Sequence, residues 1–169
     1  MIILISGPAG AGKSTVSRLL SKTFGKCALI EVDLIRQMIK QGNISPFAEN
    51  GVGDGQLRLG VMNACSLAKN FAQAGFHVIV DDVVSETKRL DLYFEQLSGL
   101  DLRVFLLLPN EETMRKRDLQ RAEGSQMKES ATVLHKRFQK LLDSEKRWTV
   151  IDSSDHTAEE TVQAISDLL

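Results

Sequence analysis

The sequence opens with Met1-Ile2-Ile3-Leu4-Ile5-Ser6-Gly7-Pro8-Ala9-Gly10-Ala11-Gly12-Lys13-Ser14, and this stretch decides the fold. Residues 2–5 are apolar without polar alternation, which predicts a strand buried on both faces. Residues 7–14 match the pattern G-x-x-x-x-G-K-[S/T]. Apolar residues at helical spacing follow over 13–24, up to Gly25. The order strand, glycine-rich turn, helix is the structural context that this pattern requires.

The residue types in the turn explain what it can bind. Glycines let successive backbone N–H groups converge on an anion, and the helix N-terminus adds a partial positive charge. The ammonium of Lys13 can reach the β- and γ-phosphates of a nucleotide, and the Ser14 hydroxyl is a hard oxygen ligand suited to Mg²⁺. The predicted nucleotide-binding residues are Gly7, Pro8, Ala9, Gly10, Ala11, Gly12, Lys13, Ser14 and Thr15.

Short apolar runs alternate with amphipathic stretches along the rest of the chain. The predicted strands cover residues 2–5, 28–31, 77–80, 102–108 and 148–151. Helices are expected over 13–24, around 34–39, over 55–75, around 90–97, after Asn110, around 134–142 and after Thr157, which forms a capping-box pattern with Glu160. Strands alternating with helices predict an α/β fold, a parallel sheet covered on both faces.

Composition places the 169 residues in one ordinary globular domain, 1–169. Hydrophobic residues make up 43% and the net charge is −1, so no global field attracts nucleic acid or an anionic membrane. No apolar run approaches the ~18 residues of a membrane span, and no basic leader precedes the first apolar run. We therefore expect a cytoplasmic protein in which Cys27 and Cys65 are reduced, buried thiols.

Asp81 and Asp82 follow the third predicted strand, at the edge where ligands bind in open α/β sheets. A carboxylate there can hold the water shell of Mg²⁺. Side chains alternate along a strand, so we expect one of the two to face the metal, and the sequence leaves open which. The alternative is a pair of aspartates that cap the loop.

Asp33 comes just after the second predicted strand, at the same edge. Its carboxylate can accept a proton from an acceptor hydroxyl as that oxygen attacks a γ-phosphate. The alternative is that Asp33 only N-caps the helix that follows. Arg36 on that helix and Phe47 in the long loop 41–54 are candidate substrate contacts, since loops of this length are often functional.

A basic segment lies in the second half of the chain, where residues 115–147 carry ten basic and five acidic residues. Arg117 and Arg121 share a helix face and can supply positive charge to a transferring phosphoryl group; the alternative is a solvated helix face. After the fifth strand, Asp152 and Ser153 can line an adenine pocket, or else form the loop that precedes Thr157.

These features resemble a known group of enzymes. In chain order they are Lys13-Ser14, Asp33, Asp81-Asp82, Arg117-x-x-x-Arg121 and Ile151-Asp152. The sequence is similar to the small P-loop kinases of the nucleoside-kinase-like group, closest to the chloramphenicol phosphotransferase-like and zeta-toxin-like AAA-type ATPases. The resemblance implies a P-loop NTPase αβα sandwich with strand order 2-3-1-4-5 and a short lid, at about 115–128. It also implies ATP and Mg²⁺, Asp33 as base, and Arg117 and Arg121 as lid arginines.

The leading functional hypothesis is a kinase that transfers the γ-phosphoryl of ATP to a hydroxyl of a small molecule. Lys13, Arg117 and Arg121 would stabilise charge, and Arg117 would also contact the nucleotide. The alternatives are an ATP-dependent binding switch and a toxin-like kinase of a nucleotide sugar or RNA. We expect a monomer or homodimer; the acceptor and the preference for ATP over GTP stay open.

Overall fold

The computed structural model describes residues 1–45, 51–120 and 126–169. The strands are β1 (Ile2–Ser6), β2 (Cys27–Glu31), β3 (His77–Asp81), β4 (Leu102–Leu107) and β5 (Thr149–Ile151). The helices of these ranges are α1 (Lys13–Ser21), α2 (Val32–Arg36), α3 (Asp54–Gln73), α4 (Thr87–Gln96), α5 (Glu111–Leu119), α6 (Glu129–Ser144) and α7 (Ala158–Ser166).

The five strands form one sheet in the order β2-β3-β1-β4-β5, and all neighbouring pairs are parallel. Helices cover both faces, which is the P-loop NTPase αβα arrangement, so the predicted fold and strand order are confirmed. In such a sheet the carboxyl ends of all strands lie at one edge. The turn after β1 and the residues that follow β2 and β3 therefore meet there.

Alternation along the strands divides the core in two. On β1, Ile2 and Leu4 pack with α2, α3, α4 and α6 on one face of the sheet. Ile3 and Ile5 pack with α1 and α7 on the opposite face. The same parity holds on β3, where Val78 and Val80 join the first cluster and Ile79 joins the second. Successive residues at the end of β3 therefore face different helices.

The segment after β2 differs from the sequence-based expectation. The helix begins at Val32, directly after the strand, and its N-cap is Glu31 with no side-chain capping bond. The interpretation of Asp33 as the N-cap is therefore wrong, because no loop residue separates strand from helix. The helix also ends at Arg36, and hydrogen bonds from Met38 to Ile35 and from Ile39 to Arg36 tighten the following turn into the 3₁₀ pattern.

Two predicted helix starts are confirmed. The Asn110 side chain accepts a hydrogen bond from the Thr113 N–H and caps α5. Thr157 and Glu160 form both hydrogen bonds of the capping box at α7. Across the described ranges, no helix has the length and hydropathy needed to span a bilayer.

Candidate active site

The turn between β1 and α1 is shaped by glycines that adopt conformations unfavourable for other residues. Gly10 and Gly12 have φ angles of +81° and +91°. A Cβ on Gly10 would lie 2.5 Å from the main-chain oxygen of Met114, so the turn packs directly against α5. Gly12 is the N-cap of α1. The N-terminus of α1 thus opens into the turn, as an anion-binding loop requires.

Lys13 and Ser14 are the first two residues of α1. The Lys13 Nζ donates a hydrogen bond to the main-chain oxygen of Pro8 at 3.0 Å, so the ammonium lies over the turn. The Ser14 Oγ donates to Asp81 Oδ2 at 2.7 Å. The structure therefore joins the predicted phosphate loop to the end of β3 through a hydroxyl and a carboxylate, which are oxygen ligands that Mg²⁺ prefers.

The environment of Asp81 opposes its ionisation. Burial raises the pKa of Asp81, while the positive charge of Lys13 and the hydrogen bond from Ser14 lower it. The carboxylates of Asp33 and Glu31 add to the rise. Three acidic groups near one point are what a cation would stabilise, and the charged form of Asp81 is the form that binds one.

Asp82 lies on the other side of the sheet. Its Oδ2 accepts a hydrogen bond from the Tyr93 hydroxyl at 2.9 Å and its Oδ1 accepts one from the Val83 N–H at 2.8 Å. Burial raises its pKa, and the positive charge of Arg89 is the largest effect that opposes this rise. Although Asp82 also lines the cavity beside Ser14, its two oxygens already have partners on the α4 side.

Asp33 is brought to the same edge of the sheet. A cavity of about 110 Å³ is lined by Ser14, Asp33, Asp81 and neighbouring residues. The Asp33 Oδ1 accepts a hydrogen bond from Arg36 at 2.5 Å, and the Asp33 side chain is 60% exposed. The predicted base candidate thus opens to solvent next to the Ser14–Asp81 pair.

A second cavity of about 220 Å³ lies beside the first. Its walls include Asp33 and Arg36 of α2, Asn43 and Ile44 of the following loop, and Gln56 and Leu57 of α3. Asp33 lines both cavities. It therefore stands between the phosphate loop side and a polar chamber large enough for a small molecule.

Arg117 and the loop after β5 are also brought together. The Arg117 Nη2 donates to the main-chain oxygens of Ser153 and His156 at 2.8 and 3.0 Å. Asp152 accepts hydrogen bonds from the N–H and hydroxyl of Ser154, and these bonds lower the pKa of Asp152. The guanidinium thus fixes the 153–156 loop at the end of α5, and Arg117 is paired rather than on a fully solvated face.

Two predicted residues, Phe47 and Arg121, lie outside the described residues, so their roles stay predictions. The same holds for the middle of the predicted lid. Its ends are described: residues 115–119 belong to α5, and Asp118 accepts hydrogen bonds from the N–H groups of Met127 and Lys128.

Sequence reasoning missed three residues near the site: Gln56, Arg89 and Tyr93. Arg89 donates to the Val83 main-chain oxygen at 2.9 Å, and its positive charge is the largest effect that lowers the pKa of Asp82. Its sequence signal is weak but real, since Lys88 and Arg89 stand in the first turn of α4, where acidic residues are preferred. No comparable signal marks Gln56 or Tyr93.

The donor set can be tested against Mg²⁺. Among the described residues, no group of three or more His, Cys, Asp or Glu side chains forms a ready metal cluster. Mg²⁺ in phosphate-binding sites does not require one, because it is held by one or two protein oxygens together with phosphates and waters. Ser14 and Asp81 fit that pattern.

Comparisons with solved structures give the same fold. The tunicamycin resistance protein of Deinococcus radiodurans is 19% identical, with a TM-score of 0.72 over 99% of this chain and 94% of that chain. A sugar kinase from Janibacter sp. HTCC2649 is 16% identical, with a TM-score of 0.71 over 98% and 92%. Shikimate kinase from Acinetobacter baumannii, solved with shikimate, is 20% identical, with a TM-score of 0.65 over 99% and 91%.

No curated protein matches the sequence significantly. A family model described as an AAA domain matches residues 2–144, which is most of the chain. The resemblance to small P-loop kinases and AAA-type ATPases is therefore confirmed at the level of family and fold. On these grounds the chain belongs to the AAA domain family and has the P-loop NTPase fold of the small kinases that it resembles.

Proposed function

We propose that this protein is an ATP-dependent phosphotransferase that moves the γ-phosphoryl group to a hydroxyl of a small molecule. The observation that carries the proposal is the position of Asp33, which lines both the cavity beside Ser14 and Asp81 and the larger cavity next to it. An acceptor in the larger cavity would meet the carboxylate on the side that faces the phosphate loop.

The phosphate loop would hold the triphosphate through its backbone N–H groups and the N-terminus of α1. Lys13 would place its ammonium on the β- and γ-phosphates, because its present partner, the Pro8 oxygen, belongs to the same loop. Ser14 and Asp81 would hold Mg²⁺. When bound, this ion neutralises charge that develops on the phosphate oxygens.

Asp33 would act as the general base. As the acceptor oxygen forms its bond to the γ-phosphorus, the hydroxyl proton would pass to an Asp33 carboxylate oxygen. The bond between the γ-phosphorus and the bridging oxygen of ADP would break at the same time. Arg36 donates to Asp33 Oδ1 and is 19% exposed, so it would orient the carboxylate and leave Oδ2 for the acceptor.

Arg117, Asp152 and Ser153 would contact the nucleotide rather than the reacting phosphoryl group. The hydrogen bonds from Arg117 to the 153–156 loop support this assignment, since they hold the guanidinium against that loop. Arg121 remains the candidate that supplies positive charge to the transferring group. Phe47 remains a candidate acceptor contact.

The test is the exchange Asp33→Asn, measured after a screen for acceptors that raise ADP release above the rate without acceptor. We expect turnover to fall by about 10²-fold or more, because the proton loses its acceptor, while nucleotide affinity stays the same. Asp101→Asn is the matched control, since Asp101 is exposed and lies just before β4, at the opposite edge of the sheet. Normal turnover in Asp33→Asn would remove the base assignment, and ADP release that no acceptor stimulates would favour the ATP-dependent switch.

A further inference from the structure

Among the described residues, the charges that line the larger cavity balance each other. Asp33 and Arg36 pair with each other at 2.5 Å. The other described residues of its wall carry amides, aliphatic groups or no side chain: Gln37, Asn43, Ile44, Gly53, Gln56 and Leu57.

This balance has a consequence for the acceptor. An anionic group in the cavity would be repelled by the Asp33 carboxylate, and the Arg36 guanidinium is already paired with that carboxylate. A cationic group would be repelled by Arg36, and Asp33 is already paired with Arg36. A charged group would lose part of its hydration on entering the cavity, and the described wall residues offer it no opposite charge that is not already paired. Hydroxyl groups, by contrast, pair well with amides and with the free oxygen of Asp33.

One wall of the cavity is fixed by a single side chain. The Gln56 Nε2 donates to the main-chain oxygen of Gly42 at 2.7 Å, and its Oε1 accepts a hydrogen bond from the Ile44 N–H at 2.8 Å. The oxygen and the nitrogen of the Gln56 side-chain amide thus both bind main-chain groups of the loop, as main-chain groups of a neighbouring strand would. We call this pair of hydrogen bonds the Gln56 clasp.

The residue between the two bonds is Asn43, which lines the cavity. Because the main chain is held on both sides of it, Asn43 has a defined position relative to Asp33. Its own amide can donate to and accept from hydroxyl groups. A loop residue of this kind could otherwise take many conformations, and ordering it on binding would cost affinity.

We propose that the acceptor is an uncharged, hydroxyl-bearing molecule, that Asn43 binds one of its hydroxyls, and that Gln56 is the positioning residue that holds Asn43. This inference rests on the proposed function, since it assigns the acceptor class of the same site. It adds two residues and excludes acceptors that carry a carboxylate or phosphate in this cavity.

The first experiment tests the acceptor class. Neutral hexoses, polyols and ribonucleosides are each assayed beside their carboxylated or phosphorylated counterparts, with ADP release as the readout. We expect at least one neutral compound to stimulate release with a kcat/KM at least about tenfold above its anionic counterpart, as one unpaired polar contact implies. Asn43→Ala should raise the KM for that compound and leave the KM for ATP unchanged.

The second experiment tests the Gln56 clasp without any catalytic readout. Lys40 is exposed and stands two residues before Gly42, so tryptic cleavage after Lys40 reports opening of the loop. Gln56→Met keeps the length of the side chain and removes both hydrogen bonds; we expect cleavage about tenfold faster. Gln73→Met is the control, because Gln73 is exposed at the end of the same helix.

The outcomes separate this inference from the proposed function. A preference for anionic compounds overturns the proposed acceptor class. The same holds if no neutral compound stimulates ADP release and none, when present, slows cleavage at Lys40. Unchanged cleavage in Gln56→Met overturns the positioning role even if phosphoryl transfer is observed. Faster cleavage in Gln56→Met and slower cleavage at Lys40 in the presence of a neutral compound, together with no transfer to any compound, would instead contradict the proposed function.

Discussion

Asp81 and Asp82 are adjacent, yet the structure gives them different surroundings. The parity of β3 explains why: residue 81 continues the row of Ile79, which packs with α1, and residue 82 continues the row of Val78 and Val80, which packs with α4. Asp81 therefore meets Ser14, and Asp82 meets Tyr93. One carboxylate is in place to serve the phosphate loop and the other stabilises the helix layer.

This difference predicts that an Asp→Asn exchange affects Mg²⁺ dependence at position 81 and stability at position 82. Asp81→Asn should raise the Mg²⁺ concentration needed for half-maximal ADP release, because a neutral amide attracts the cation less, and should change the melting temperature little. Asp82→Asn should leave the Mg²⁺ requirement unchanged and cost about 1–3 kcal/mol of stability, since either Tyr93 or Val83 loses its acceptor. Magnesium titration and thermal melts of both variants measure this. If only Asp82→Asn changed the Mg²⁺ requirement, Asp82 rather than Asp81 would be the carboxylate that serves the metal.

Cys65 offers a pH-dependent measurement. Burial raises the pKa of Cys65 to about 12, whereas an unfolded thiol ionises near ~8.5. Because the folded pKa is the higher one, the stabilising contribution is complete below about pH 8.5 and is lost as pH rises from there toward 12. In a Cys27→Ser background, we expect Cys65 at pH 8 to react with a thiol reagent roughly 10³-fold more slowly than in denatured protein. Equal rates would contradict its burial.

At the scale of elements, α5 connects the phosphate loop to the loop after β5. Its Met114 main chain contacts Gly10, and its Arg117 binds the Ser153 and His156 oxygens. A single helix, capped by Asn110, thus holds the turn after β1 and the loop after β5 in a fixed relation to each other.

The Arg117 contacts predict a defect in binding rather than in chemistry. Arg117→Ala should weaken nucleotide affinity by about tenfold, the value of one charge-assisted hydrogen bond, with a smaller effect on turnover at saturating ATP. Arg115→Ala is the matched control, because Arg115 is exposed two residues earlier on the same helix. Fluorescent nucleotide titration gives the affinities. A fall in turnover without loss of affinity would place Arg117 at the transferring phosphoryl group instead.

The elements with strong local signals were predictable from the sequence. The apolar strands, the Asn110 cap and the Thr157–Glu160 capping box depend on residues close in the chain, and the structure has each of them. The start of α2 was not, because Asp33 is an equally good residue for an N-cap and for a first turn. Because α2 begins at Val32 directly after β2, with no loop between them, Asp33 lies in the first turn of the helix.

The site was predictable only in part, for a related reason. Ser14 follows from the G-x-x-x-x-G-K-[S/T] pattern, and Asp33 and the pair Asp81-Asp82 follow from their places at strand ends. The choice of Asp81 over Asp82 depends on which sheet face carries α1, and that is a property of the whole packing. Gln56 was missed because its partners, Gly42 and Ile44, lie in a loop whose path the sequence does not specify. Phe47 and Arg121 stay predictions.

At the scale of the whole molecule, the sheet separates two sides of the site. The α1 and α7 face carries the phosphate loop helix, and the opposite face carries α2 and α3, which wall the larger cavity. Asp33 lies at the edge where the two sides meet. A nucleotide and an acceptor would therefore approach from different sides of one sheet, so nucleotide binding can be measured without knowing the acceptor.

That separation permits a test on the intact protein. A non-hydrolysable ATP analogue at 100 times its Kd, with Mg²⁺, should stabilise the folded state by about 2.7 kcal/mol, which corresponds to a rise in melting temperature of roughly 5–11 °C for a chain of this size. Lys13→Ala should lose most of the rise, because the phosphates lose their ammonium partner. Lys22→Ala, at the other end of α1, should retain it. A rise that is absent in the wild type, or that survives in Lys13→Ala, would contradict binding of the triphosphate by the turn after β1.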